Sequence, residues 1–304
     1  MPRLEFRNLS KNYGDLKALD SLNFSVNESE IFGFVGSNGA GKSTTMRIAL
    51  GVLEATSGEV LLDGTPLNFA SRRRIGYMPE ERGLYPKMKV GDQLTYIAQL
   101  HGLTKKDALA SMNRWTERLG IAERRNDIVQ ALSLGNQQRV QLAAALVHEP
   151  EILILDEPFS GLDPVAVDVM SQVLTERAQQ GAPVIFSSHQ LELVERLCTQ
   201  IGIIKAGSMV AVGTADELQA QAGNRWRITV ANGTDFTWLS TIAGITPVGI
   251  EGSRAEFIVA AEGDEQTVLK TALQHGNIEA FGRYRMPLAD LFRDAVAQPE
   301  TTQE

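Results

Sequence analysis

Residues Gly36-Ser37-Asn38-Gly39-Ala40-Gly41-Lys42-Ser43-Thr44 carry the spacing GxxxxGK[ST], in which each fixed position has a task toward a polyphosphate. Glycines let the backbone curl until successive N–H groups face phosphate oxygens. Lys42 then reaches the β- and γ-phosphates, and the Ser43 hydroxyl ligates Mg²⁺. The alternative is a glycine-rich turn with an incidental lysine, and the match at every fixed position argues against it. Two further groups stand downstream. Asp156 and Glu157 end an apolar run, where one acid holds Mg²⁺ through water and a second carboxylate orients or deprotonates an attacking water. His189 ends the next apolar run and projects from the same edge as a γ-phosphate sensor. A surface-turn acid pair and an uninvolved histidine are the plainer readings, and the upstream phosphate motif weighs against both.

These groups need strands to bring them to one edge, and the sequence supplies them. Ile31–Val35 is an apolar strand before the phosphate motif, and Thr44–Leu50 is a helix after it, ending near Gly51. Glu151–Asp156 and Pro183–Ser188 are continuous apolar runs, the mark of strands buried on both faces of a parallel sheet. Around them, Leu4–Arg7 and Leu22–Val26 alternate as half-buried antiparallel strands, with a turn over Lys11–Gly14. Ser57–Gly64 reads as a strand closed by an Asp-Gly turn. Arg72–Arg74 reads as a solvated basic loop before the strand Ile75–Met78. Helical spacing then dominates in Val90–His101, Asp107–Leu119, where Trp115 reads as core, and Asn136–Val147. Asp163-Pro164 starts a helix over Val165–Ala178, and Ile201–Val212 is a closing hairpin.

Past Leu218 the texture changes. Residues 219–224 read as a helix end and linker. Strands over Trp226–Val230 and Ala255–Val259, a helix over Asp264–His275, a strand over Ile278–Tyr284 and a helix over Leu288–Val296 make a small α+β appendage. Trp226, Trp238 and Tyr284 there read as core rather than as a ligand site. The tail 299–304 is expected to fray.

The chain has 304 residues, 43% of them hydrophobic and 22% charged, enough for two domains with ordinary cores. A net charge of −8 argues against broad electrostatic binding to nucleic acid. The single cysteine, Cys198, excludes an intrachain disulfide, reads as a buried small apolar residue, and fits a reducing compartment. No run approaches the ~20 apolar residues that span a bilayer, and the N-terminus has no signal-peptide core.

Taken together, Gly36–Thr44, Leu132-Ser133-Leu134-Gly135-Asn136, Ile152–Glu157, Ser160-Gly161-Leu162-Asp163 and His189 resemble, in order and spacing, the nucleotide-binding subunit of ATP-binding-cassette (ABC) transporters, over roughly residues 3–218. The resemblance implies an α/β P-loop fold with a mixed-sheet core, an antiparallel β subdomain and a helical subdomain over about 88–150, followed by the α+β domain at 225–298. It implies ATP with Mg²⁺ as the cofactors. By it, Tyr13 stacks on adenine, Gly36–Thr44 hold the phosphates, and Asp156 is the magnesium acid. Glu157 is the catalytic carboxylate, Asp163 the D-loop acid and His189 the switch histidine, with Lys42 and Ser43 as above.

It also implies a second cassette docked head to tail, whose Ser133, Gly135 and Asn136 close on the first cassette's ATP. Ser133 and Gly135 suit this, offering a hydroxyl, close backbone approach and a helix N-terminus to a γ-phosphate. Two departures stand out. The usual LSGGQ signature reads Leu-Ser-Leu-Gly-Asn, and the usual Q-loop glutamine is Glu80, which can ligate Mg²⁺ but cannot donate a hydrogen bond while ionised. Both, with the C-terminal domain, resemble the branch that includes sodium-efflux ATPases and related exporters. The expectation is an export ATPase on the cytoplasmic face of the membrane, paired with a polytopic permease and not with nucleic acid. A non-transport ABC protein of translation or DNA repair is the alternative. A regulatory module binding a ligand after residue 224 is a third reading.

Overall fold

The computed structural model describes residues 3–297 apart from 82, 222, 232–234, 262 and 285, so the polar tail and position 298 of the expected C-terminal domain lie outside the described residues. Alternating Leu4 and Phe6, and Leu22, Phe24 and Val26, fold as β1 (Leu4–Tyr13) and β2 (Leu16–Val26), paired antiparallel. The turn expected over Lys11–Gly14 is shorter. β1 continues through Tyr13, which pairs with Leu16, and the reversal is Gly14-Asp15 alone, with Gly14 at φ 58°.

β3 (Ile31–Val35) is buried at every residue and feeds α1 (Lys42–Ala49). β4 (Ser57–Leu62) and the two-residue β5 (Thr65–Pro66) flank Asp63 and Gly64, both at positive φ (52° and 76°), as a tight hairpin turn demands. After the one-turn α2 (Phe69–Arg72) comes β6 (Ile75–Met78). Arg73 and Arg74 are exposed, as the expected solvated stretch has it, and Arg72 is half-buried at the end of α2, yet each has a partner. Arg72 donates to the Ala49 carbonyl (3.4 Å), Arg73 to the His101 carbonyl (3.2 Å), and Arg74 pairs with Glu151. Ala49 and His101 end helices, whose last carbonyls have no intrahelical donor and recruit the arginines instead.

The helical region holds α3 (Val90–Leu100), α4 (Lys105–Arg118) and α5 (Leu134–Leu146). Trp115 is buried on α4, and its indole N–H donates to Glu149 at 2.7 Å. Next come β7 (Ile152–Leu155), α6 (Pro164–Gln179), β8 (Val184–Ser188), α7 (Leu191–Leu197), β9 (Gln200–Lys205) and β10 (Ser208–Gly213).

Two sheets result, one ordered β2-β1-β4-β5 and antiparallel, the other ordered β10-β9-β3-β8-β7-β6 and parallel except for β10. They share a core around α1, in which the rings of Phe6, Phe24, Phe32 and Phe34 pack together (centroids 4.2 to 6.2 Å apart), stacked from Phe6 through Phe24 to Phe32 and tilted at Phe34. The chain divides into two compact units at Thr214/Ala215. α8 (Ala215–Gln221) therefore opens the second unit and runs through the first half of the expected linker.

The second unit pairs β11 (Arg225–Val230), β12 (Ile245–Glu251), β13 (Arg254–Val259) and β14 (Ile278–Arg283) in the antiparallel order β12-β13-β11-β14, with α9 (Asp264–His275) and α10 (Leu288–Ala297). A 3₁₀ helix, Phe236–Thr241, follows β11. Ile228, Phe236, Trp238, Phe257 and Val268 are among the residues of its own core, against which Trp226 packs. Tyr284 differs from the expectation, lying under the Arg227 guanidinium at 3.5 Å from the ring centroid.

Candidate functional site

β3 ends at Val35, between β8 and β9, so the phosphate motif leaves the sheet at its carboxyl edge. Two of its glycines are required by contact. A methyl on Gly36 would stand 2.6 Å from Ile204 Cγ2, and one on Gly41, at φ 112°, 2.6 Å from Leu19 Cδ2. Gly39 (φ 79°) meets nothing within 4 Å and leaves open space above the loop. Gly36 and Ala40 lie buried beneath it, while Ser37, Asn38 and Gly39 are exposed. Gly41 caps α1 with no side-chain acceptor, so the first N–H groups of the helix remain directed at the cleft. Lys42, 7% exposed, folds back across the loop, its ammonium donating to Gly36 O (2.7 Å) and Ser37 O (3.2 Å).

Asn38, Gly39 and Gly41–Thr44 form one wall of a cleft of about 310 Å³, and Glu80, Asp156 and Glu157 form the facing one. Each acid comes from a neighbouring strand end, Glu80 following β6 and Asp156 following β7. Asp156 is 1% exposed. A carboxylate that buried needs donors, and the Ser187 hydroxyl supplies one at 2.6 Å to Oδ1. Parallel pairing of Leu155 with Phe186 brings Ser187 there.

The same hydroxyl accepts from the Glu157 backbone N–H at 2.8 Å, and Glu157 takes left-handed backbone at φ 49°. Its carboxylate meets His189 Nδ1 at 2.9 Å; the histidine side chain is 62% exposed and the glutamate 11%. Burial first, then the nearby Asp156 charge, raises the Tyr77 hydroxyl above the ordinary phenol range. Ser43 hydroxyl, Asp156 and Glu80 make an all-oxygen donor set, the kind a hard cation such as Mg²⁺ takes.

The remaining predicted residues stand elsewhere. Tyr13 ends β1, 48% exposed, with the Lys11 ammonium 5.2 Å from its ring centroid. Ser133 caps α5, its Oγ accepting from Asn136 N at 3.5 Å, and Asp163 caps α6, accepting from Ala166 N at 2.8 Å. These two caps adjoin each other. A methyl on Gly161 would meet Leu134 Cδ2 at 3.2 Å, and one on Gly135 would meet Leu162 Cδ2 at 3.7 Å. The chain thus gathers two clusters, the cleft with its acids and the Ser133–Asp163 pair of caps, and the second does not line the first.

Three residues that the sequence motifs do not single out contribute. Ser187 bridges Asp156 and Glu157, while Gln138 and Gln141 on α5 reach the loops that carry the cleft's acids. The only local signal for them is the Ser187-Ser188 pair at a strand end and two glutamines three apart on a helix.

The sequence pattern of the ABC transporter family matches residues 19–160, and that of the ATP-binding protein DrrA1-3-like C-terminal domain matches residues 213–296. The chain is 39% identical over 293 residues to the ABC transporter ATP-binding protein YhaQ of Bacillus subtilis, covering 96% of this chain and 98% of that one. It is 32% identical to the linearmycin resistance ATP-binding protein LnrL of the same organism, covering 87% and 88%. A solved ATP binding subunit of an ABC transporter superposes with a TM-score of 0.67 at 31% identity, covering 72% of this chain and 92% of that one.

Proposed function

The chain belongs to the ABC transporter ATP-binding proteins, and on that premise we propose that it hydrolyses ATP in cleft sites shared by two cassettes and drives export through a separate membrane permease. The observation that carries the reading is the separation of the two clusters. The cleft offers phosphate-binding backbone, Lys42 and acids, while Ser133, Gly135, Asn136 and Asp163 lie outside it. A head-to-tail pair would bring one chain's Ser133 cap to the other chain's phosphates, which a helix N-terminus and hydroxyl can bind. Membership in a transporter family favours this over a role in translation or DNA repair.

In this reading the N–H groups of Gly36–Thr44 and the Lys42 ammonium hold the β- and γ-phosphates, and exposed Tyr13 offers its ring to adenine. Ser43, Asp156 and Glu80 would hold Mg²⁺, which neutralises phosphate charge when bound. Glu157 accepts the proton of the attacking water. His189, hydrogen-bonded to Glu157 and open to solvent on its other side, orients that carboxylate and senses the γ-phosphate. No helix among the described residues is long and apolar enough to cross a membrane; in this reading the spans belong to a polytopic permease, with this chain peripheral on the cytoplasmic face. The relative LnrL is named for linearmycin resistance, which supports export of a cargo chosen by the permease. The test is to mix Lys42→Ala chains with Ser133→Ala chains. A shared site predicts partial recovery of ATPase in the mixture, because one of the two composite sites is then intact. Activity no greater than the sum of the separate variants refutes it.

A further inference from the structure

We propose that Gln138 and Gln141 are positioning residues for this hydrolysis, an amide brace by which α5 fixes the two loops carrying the cleft's carboxylates. The inference rests on the hydrolytic reading above. Three residues apart, the two side chains share one face of the helix. Gln141 Nε2 donates to Pro79 O at 2.5 Å and reaches Glu81 O at 3.4 Å, straddling Glu80. Gln138 Nε2 donates to Pro158 O at 3.0 Å and reaches Glu157 O at 3.4 Å. Their neighbour Gln137 turns back to the Leu132 carbonyl, so the contacts are not a generic habit of the glutamine run.

Gln141 is 3% exposed, and among the described residues its Oε1 has no partner. Burying an amide with an idle oxygen is costly, and an apolar side chain would fill the position without that penalty. What an apolar residue could not do is donate to both carbonyls that flank Glu80. The helix is also seated firmly on the strand that leads to that loop, since a methyl on Gly76 of β6 would stand 2.3 Å from Ala145 O. Ser133 caps α5, so any displacement of that cap by a partner's nucleotide passes to Glu80 and Glu157 together.

Gln141→Met and Gln138→Met in the full chain test this, because methionine keeps length and helix propensity and removes the donor. The readouts are binding of a fluorescent ATP analogue in EDTA, its Mg²⁺ titration, and the kcat and KM of hydrolysis. Gln141→Met should raise the half-saturating Mg²⁺ about tenfold, one hydrogen bond's worth, while affinity in EDTA stays within about twofold. Gln138→Met should lower kcat about tenfold and leave KM and the Mg²⁺ response within about twofold. Unchanged half-saturating Mg²⁺ in Gln141→Met, or equal losses of EDTA affinity in both variants, overturns the brace. If Gln141→Met does not fold, Gln141→Asn, which keeps the amide one methylene short, takes its place. Failure of both to fold assigns Gln141 to stability alone and overturns the proposal. Wild-type chain that binds the analogue but hydrolyses nothing, alone or with its permease, sinks the hydrolytic reading instead.

Discussion

Ser187→Ala perturbs the cleft without replacing any residue that lines it. Ser187 is fully buried, and its hydroxyl is the donor to Asp156 Oδ1 and the acceptor from Glu157 N. Truncation removes a hydrogen bond to a charged group, a net ~1.5–3 kcal/mol, and leaves the Glu157 N–H unmatched at ~1–3 kcal/mol. A water entering from the cleft restores part of this, so we expect about 3 kcal/mol of destabilisation, and a melting temperature lower by roughly 6–12 °C. Ser188→Ala is the internal control. Its hydroxyl, buried at the end of β8, accepts among the described residues from the neutral, half-buried Gln190 N–H at 3.0 Å, and its loss should cost about 1 kcal/mol. Urea unfolding of both variants beside the wild type, with ATPase rates measured in parallel, decides the matter. Equal destabilisation by the two substitutions would refute the claim that one hydroxyl holds both Asp156 and the turn at Glu157.

Other outcomes follow from the same geometry. Glu157→Gln should reduce ATP turnover ~10²–10³-fold with nucleotide affinity retained; undiminished steady-state turnover would remove Glu157 from the chemistry. His148 stacks on His101 (3.7 Å between centroids), and burial, followed by the charges of His101 and Arg177, lowers its pKa to about 4. The folded chain therefore binds fewer protons than the unfolded one between about pH 6.5 and 4. Stability that is full above that window should fall by about 2–3 kcal/mol across it. The gap in urea midpoint between wild type and His148→Gln should then shift with pH, and a constant gap from pH 7 to 4.5 counts against the assignment. Cys198 is half-buried as a residue, but its sulfur packs against Gly33 of β3, where a methyl would stand 2.6 Å from it, and burial raises the thiol far above the ordinary range, so alkylation at pH 8 should be slow in the native chain and speed up on unfolding.

Contacts close in sequence, or fixed by spacing, are legible in the order of the amino acids. Gly36–Thr44 specify their own loop, and Ile152–Leu155 announce burial on both faces and so place Asp156 at a sheet edge. What escapes depends on distant partners. Ser187 matters because parallel pairing sets it beside Asp156, 31 residues away. Gln141 matters because α5 lies across the end of β6, 62 residues upstream. The partners of Arg72–Arg74 escape because nothing local reveals that two helix ends and Glu151 will claim them. β12 escapes for a different reason. It is an edge strand whose pattern is broken by Pro247 and Gly249, residues that sheet edges accept and sequence periodicity reads as loop.

The backbone at Glu157 limits what evolution can do with this site. Left-handed φ is disfavoured for a side chain with a branched β-carbon and mild for Gly, Asn and Asp. Ser187 holds that conformation through the main chain, whatever side chain the position bears. A duplicate of this cassette released from hydrolysis would lose the need for a carboxylate there while keeping the turn. Its drift at position 157 is then biased toward Gly, Asn and Asp and away from Val, Ile and Thr.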